Sequence, residues 1–131
     1  ELSRVALALK TVLCHVTGVP TMVFDEIDTG VGGITAQKMA EKLAIIAARS
    51  QVLCITHLPQ IASYADRHLY IFKASQGERT ATSLKLLEGQ ARVEEIRRMT
   101  AGDNASAAAT ASAKEQLAAA ARFKAGLTRL I

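Results

Sequence analysis

The sequence predicts an α/β fold, and three observations carry that prediction. Two short apolar runs, Thr21-Met22-Val23-Phe24 and Gln51 to Thr56, each stop abruptly at chemistry-bearing residues. Apolar residues at helical spacing precede, separate and follow these runs. Parallel strands need a crossover, usually a helix, so the order helix, strand, helix, strand, helix reads as a parallel α/β layer.

The elements follow in order. Leu2, Val5, Ala6, Leu9, Val12, Leu13 and Val16 recur at helical spacing, and Gly18 and Pro20 end the pattern, giving a first helix over about residues 2 to 16. Thr21 to Phe24 is a strand expected to be buried on both faces, with Asp25 and Glu26 at its C-terminal edge. Gly30-Val31-Gly32-Gly33 reads as a flexible loop. Ala36, Met39, Ala40, Leu43, Ile46 and Ala47 then define the inner face of a second helix, with Lys38, Glu41, Lys42 and Arg49 mostly outside. Gln51 to Thr56 repeats the buried-strand pattern, and Pro59 suits the first turn of a short helix reaching Ala65.

Beyond this point the pattern changes. His68 to Lys73 and Thr80 to Leu87 read as two strands around a Ser75-Gln76-Gly77-Glu78 turn, a hairpin or a pair of edge strands. Val93, Ile96 and Met99 mark a helix supported by a Glu94 to Arg98 pair at i, i+4 and broken at Gly102-Asp103-Asn104. The Ala-rich stretch from Ala105 to Ala125 predicts a last helix ending near Gly126.

Composition narrows the class. A chain of 131 residues, half of them apolar, suffices for one modest domain or a piece of one. Its apolar runs fall far below the roughly 20 residues of a membrane span, and Glu1 opens no export leader, so a soluble, cytoplasmic protein is expected. Cys14 and Cys54 lack neighbours at zinc spacing and read as buried, reduced thiols. His15 and His68 likewise lack partners at metal-ligand spacing, which leaves them surface or helix-end roles. The net charge of +4 permits attraction to phosphate backbones, but the basic residues are scattered from Arg4 to Arg129 among acids. Arg92, Arg97 and Arg98 are therefore read as a solvated helix face, with DNA contact as the alternative.

The chemistry concentrates at the strand ends. An apolar strand closing on two acids is a Walker B pattern. Mg²⁺ on nucleotide phosphates takes hard oxygen ligands and keeps several waters, so Asp25 at a rigid strand end can hold the metal through its hydration shell. Glu26, directed to the other side, can orient or deprotonate the water that attacks the γ-phosphate. Strand, acid pair, glycine loop, helix, strand and Thr56-His57 is the order in which ABC-type ATPases present Walker B, D-loop and switch histidine.

Two motifs sharpen this. Asp25-Glu26-Ile27-Asp28-Thr29-Gly30-Val31-Gly32-Gly33 and Thr56-His57-Leu58-Pro59-Gln60-Ile61-Ala62 resemble the RecN-type, SMC-like ATPases of bacterial DNA repair, and Glu1-Leu2-Ser3-Arg4 resembles the tail of their signature motif. The resemblance covers nearly the whole chain and weakens after about Gly102. Transporter-type ABC subunits are the rival, but Ile27 stands where they usually carry Pro, and Arg4 to Lys10 lacks their Gln-Arg-rich helix.

The resemblance implies that residues 1 to 131 form the C-terminal lobe of an ABC/SMC-type head: a mostly parallel sheet flanked by helices, with an edge hairpin and C-terminal helices. It implies ATP and Mg²⁺ as cofactors, with ATP sandwiched between two heads of a homodimer. Glu1 and Ser3 would lie in the first turn of the signature helix, Asp28 in the loop crossing between heads, and His57 against the γ-phosphate. No G-x-x-x-x-G-K-[ST] phosphate loop occurs in the sequence, so turnover by the chain alone is not expected. The resemblance supplies that loop from an N-terminal Walker A lobe. It further implies a fragment that begins inside the signature motif, DNA bound through the complete protein, no membrane partner, and a nucleoid-associated bacterial setting. The alternative from another class is a basic DNA- or protein-interaction module whose acidic strand ends are structural.

Overall fold

The computed structural model describes residues 5–6, 8–10, 12, 18–25, 27–76, 79–103 and 106–128. The described part of the expected first helix is helical at 5–6, 8–10 and 12. Cys14 and His15 lie outside the described residues.

Strand β1 (Thr21–Phe24) leads through a turn into helix α1 (Gly33–Ala47), which returns the chain to strand β2 (Gln51–Cys54). The two strands pair in parallel, Thr21 opposite Gln51 and Phe24 opposite Cys54. Helix α1 stops where the amides of Arg49 and Ser50 both bond the Ile46 carbonyl at 3.0 Å. The ladder then starts, with the Gln51 amide on the Pro20 carbonyl at 2.8 Å. The inner face of α1 follows the 3.6-residue pattern: Met39, Ala40, Leu43 and Ile46 join Met22, Phe24, Ile27 and Ile61 in one core. Phe24, 1% exposed, is among its most enclosed side chains; burial of such a ring contributes about 1.5–3 kcal/mol. Lys10 lies against β1, its Nζ 4.6 Å from the Phe24 ring centroid and bonded to the Val23 carbonyl at 2.9 Å.

The strands were expected to be covered on both faces, and here the structure differs. Met22 and Phe24 point into the core, while Val23 is 55% exposed and Leu53 and Ile55 are exposed likewise. An apolar run without polar alternation suits double burial, but among the described residues only the α1 side of the sheet is filled.

Helix α2 (Pro59–Ala62) is short, with Pro59 at its first turn as expected. Strands β3 (His68–Gln76) and β4 (Arg79–Leu87) form the predicted hairpin as a two-stranded antiparallel sheet of its own, longer at the turn than anticipated because Gln76 already pairs with Arg79. Tyr70 and Phe72 stack on one face, centroids 5.7 Å apart, beside Leu87 and helix α3 (Gly89–Ala101). Leu69, Ile71 and Leu84 occupy the other, exposed face.

Helix α4 (Ala107–Thr128) packs along α3 through small residues. Ala113 is fully buried against Ile96 and Ala62, with Val93, Met99 and Leu117 around them. Ala120, seven residues on and therefore on the same side, is also fully buried. The helix runs through Gly126 to Thr128, near the expected end, because one Gly costs only about 1 kcal/mol against a long run of good helix formers. The α3 ion pairs are Glu94–Arg97 at 2.9 Å and Glu95–Arg98 at 2.7 Å, both i, i+3, in place of the anticipated Glu94 to Arg98 pair. Arg92 turns inward instead and donates to the carbonyls of Ser63 at 3.1 Å and Ala65 at 2.6 Å. No described helix is long and apolar enough to cross a membrane.

Candidate functional site

Parallel pairing brings the ends of β1 and β2 together. The Ile55 amide bonds the Phe24 carbonyl at 2.9 Å, so the ladder runs one residue past β2 and sets Asp25 beside the chain that leads to Thr56 and His57. Asp25 is exposed at this edge. Glu26, Glu1 and Ser3 lie outside the described residues, as does Arg4.

Asp28 is held differently from its neighbour. Ile27 is buried in the core, and the Val31 amide bonds the Asp28 carbonyl at 3.0 Å, closing a four-residue turn. Gly30 takes a φ of 71° at the third position of this turn, where a left-handed residue is needed. The glycine stretch is thus a hydrogen-bonded turn followed directly by the start of α1 at Gly33. Within it the Asp28 side chain is only 3% exposed and points into the chain's own fold.

Its oxygen Oδ2 accepts from two groups of one short segment, the Thr56 hydroxyl and the His57 amide at 3.0 Å, and lies 3.2 Å from His57 Nδ1. Burial raises the Asp28 pKa, but hydrogen bonds from Thr56 and the His57 amide outweigh it and hold the carboxyl below its ordinary value. Thr56 Oγ1 also accepts the Leu58 amide at 3.0 Å. This local turn, in which a Thr oxygen caps the amide two residues on, leads into Pro59 and α2. Thr56 had no role of its own in the sequence reading. A threonine before a short Pro-initiated helix was the available signal. The His57 ring, in contrast, is 75% exposed.

Cys54 reports the field at this edge. Burial first, then the negative charges of Asp28 and Asp25, push its thiol up to about 11. Cys54 is a free thiol in this fold, half-buried where a fully buried one was expected. Among the described residues no three His, Cys, Asp or Glu side chains gather as an all-protein metal cage. An exposed carboxylate at a rigid strand end suits an ion that keeps most of its waters, as Mg²⁺ does on phosphates. His68 sits half-buried at the start of β3, its pKa lowered by burial and then by Arg92.

No family model matches the chain. Curated relatives do. The DNA repair protein RecN of Treponema pallidum is 52% identical over 126 residues, 96% of this chain and 22% of that protein. The RecN proteins of Halalkalibacterium halodurans and Bacillus subtilis are each 48% identical over 124 residues, again 95% of this chain and 22% of theirs. The chain therefore spans about a fifth of the length of the curated relatives it matches. Among solved structures, a chain described as "Structural biochemistry of ATP-driven dimerization and DNA stimulated activation of SMC ATPases" superposes with a TM-score of 0.60 at 17% identity, covering 78% of this chain and 61% of that one. The fold is thus that of an SMC-type ATPase head, in an α/β unit with a parallel strand pair, a hairpin and C-terminal helices.

Proposed function

We propose, for a chain that belongs to the RecN family over the stretch it spans, that it is the C-terminal lobe of an SMC-like ATPase head acting in DNA double-strand break repair and recombination. An N-terminal Walker A lobe completes the head, and ATP lies between two heads of a homodimer. DNA is engaged by the complete protein, in the bacterial cytoplasm at the nucleoid.

The observation that carries the reading is the convergence of Asp25 and His57 at the C-terminal ends of two adjacent parallel strands, with Asp28 bonded to His57. Such strand ends are where α/β folds hold their ligands. In this reading Asp25 orients waters of the metal's shell, Glu26 aligns and deprotonates the attacking water, and His57 meets the terminal phosphate. Glu1 and Ser3 belong to the signature turn that faces the opposite head's nucleotide, and the turn carrying Asp28 lies along the crossing between heads. Mg²⁺, when bound with ATP, neutralises charge on the phosphates.

The rival reading, a basic interaction module, loses support on helix α3. Arg97 and Arg98 pair with Glu94 and Glu95, and Arg92 is bonded to carbonyls.

Combining the chain with the rest of its head should give Mg²⁺-dependent ATP hydrolysis. Glu26→Gln should lower turnover by about 10²- to 10⁴-fold, the range for a lost general base, while ATP binding and head pairing persist. Unchanged turnover in that variant would remove Glu26 from the mechanism.

A further inference from the structure

One face of the β3–β4 hairpin meets helix α3 across an open groove of about 480 Å³, within the range of about 300–1,000 Å³ common for ligand sites. Tyr70 and Phe72 stand two residues apart on β3 and so share that face. Their rings lie 14° from parallel with centroids 5.7 Å apart, and both side chains are half-buried. Lys85 is opposite Tyr70 in the strand register and lines the same groove. It is exposed, and among the described residues no carboxylate pairs with it.

The α3 wall is charged but balanced. Glu94 accepts from Arg97 Nε at 2.9 Å and from Gln90 Nε2 at 2.8 Å. Glu95 takes Arg98 in a two-pronged pair, Nε at 2.8 Å and Nη2 at 2.7 Å. These bonds raise the Arg98 pKa above its ordinary value, and Tyr70 adds to the effect, which sets the guanidinium within electrostatic reach of that ring. Pairing spends the charge and the donor edge of Arg98 while its side chain stays 52% exposed. What a guanidinium pinned in this way still offers is its flat face, which stacks on planar rings. Three cations and two carboxylates line the groove, and the surplus charge belongs to Lys85.

We infer that this groove is a contact site for single-stranded DNA, in which an unpaired base stacks on the Tyr70 and Phe72 rings and on the plane of Arg98, and the neighbouring phosphate meets Lys85. The inference rests on the reading of the chain as part of a head that acts on DNA. Bases in a duplex are stacked on one another, so only an unpaired strand can offer its base faces to such a slot. An aromatic side chain of a peptide would also fit between the rings, but the surplus cation favours a ligand that carries a negative charge beside its flat group. The ion pairs that weaken α3 as a phosphate-binding face leave this stacking mode intact, because it draws on ring surface and one lysine of the hairpin.

The test uses the complete protein and a short oligo(dT) strand carrying 5-iodouracil. Irradiation should crosslink the strand to the peptide that holds Tyr70 and Phe72; crosslinks found only elsewhere overturn the proposal without any variant. By fluorescence anisotropy, Phe72→Leu, which keeps an apolar side chain against α3 but removes the ring, should weaken binding by about 5- to 150-fold, the range for one lost base–aromatic stack. Tyr70→Phe keeps its ring and should bind as the unsubstituted protein does. Lys85→Ala alters an exposed side chain, so its folding is not at issue, and it should lower the slope of log affinity against log salt by about 0.7, one phosphate contact on a single strand. Unchanged affinity and slope in Phe72→Leu and Lys85→Ala overturn the proposal and leave the groove to a protein partner. Free dTMP at the same nucleotide concentration should not displace the strand; displacement as effective as by oligo(dT) makes this a mononucleotide pocket and overturns the proposal too. ATP hydrolysis without DNA should be unchanged in Phe72→Leu and Lys85→Ala. Glu26→Gln keeps the two readings apart: lost turnover in that variant with no crosslink in the groove retains the ATPase and removes the DNA site, whereas intact turnover removes the ATPase assignment and leaves the crosslink to decide the groove.

Discussion

Replacing Ala113 by Leu tests why the last helix is built of alanine. Ala113 is fully buried where α4 meets Ile96 of α3 and Ala62 of α2, so the larger side chain has no space without moving a neighbour. Overpacking of this kind costs about 1–3 kcal/mol. Ala111, two residues earlier on the same helix, is exposed, and Leu and Ala have nearly equal helix propensity. Ala111→Leu therefore controls for everything but packing. At roughly 4 °C per kcal/mol for a domain of this size, Ala113→Leu should lower the melting temperature by about 4–12 °C, and Ala111→Leu should leave it within a degree or two. Far-ultraviolet circular dichroism during heating measures both. Equal melting temperatures for the two variants would refute the account of α4 as a helix docked through its small residues.

Two further outcomes follow from the strand-end charges. Asp28 has a lowered pKa in the fold, so the unfolded chain takes up its proton first on acidification; the stabilisation is whole above about pH 4 and disappears as pH falls through the folded value. Urea midpoints measured across that range should therefore fall more steeply for the unsubstituted protein than for Asp28→Asn, and identical acid limbs would contradict the bonding described. Cys54, with its thiol pushed up to about 11, should react with iodoacetamide far more slowly in the fold than in urea at pH about 8.5, where a free thiol is half ionised; peptide mapping separates it from Cys14, and equal rates would sink the assignment of its environment.

Much of this fold was legible because it is local. The inner face of α1 is written in the spacing of Ala36, Met39, Ala40, Leu43 and Ile46, all buried as expected, and β1 ends at Phe24, where its apolar run ends, just before Asp25. Sequence could not show that β1 is covered on one side among the described residues, since an apolar run states what a strand tolerates and not what meets it. It misplaced the Arg98 partner because i, i+3 and i, i+4 neighbours are both within reach on a helix. The inward turn of Asp28 was invisible for a different reason. Its partners lie 28 and 29 residues away in the chain, a distance at which no periodicity operates.

The Arg92 and Lys124 contacts have a consequence for how the two ends of the unit communicate. Arg92 from α3 donates to Ala65 O at 2.6 Å, while Lys124 from α4 reaches the same carbonyl at 3.5 Å and Asp66 at 2.8 Å. The Tyr64 ring meets Phe123 edge-on, centroids 5.7 Å apart. The segment that follows α2 is thereby anchored to both C-terminal helices, and α2 itself begins two residues after His57. A shift of the Ala-rich helix is thus one short lever arm away from the histidine. The amides of Leu58 and Ile61, bonded to Thr56 Oγ1 and to the Leu58 carbonyl, are the places where slower or faster hydrogen exchange would register that motion.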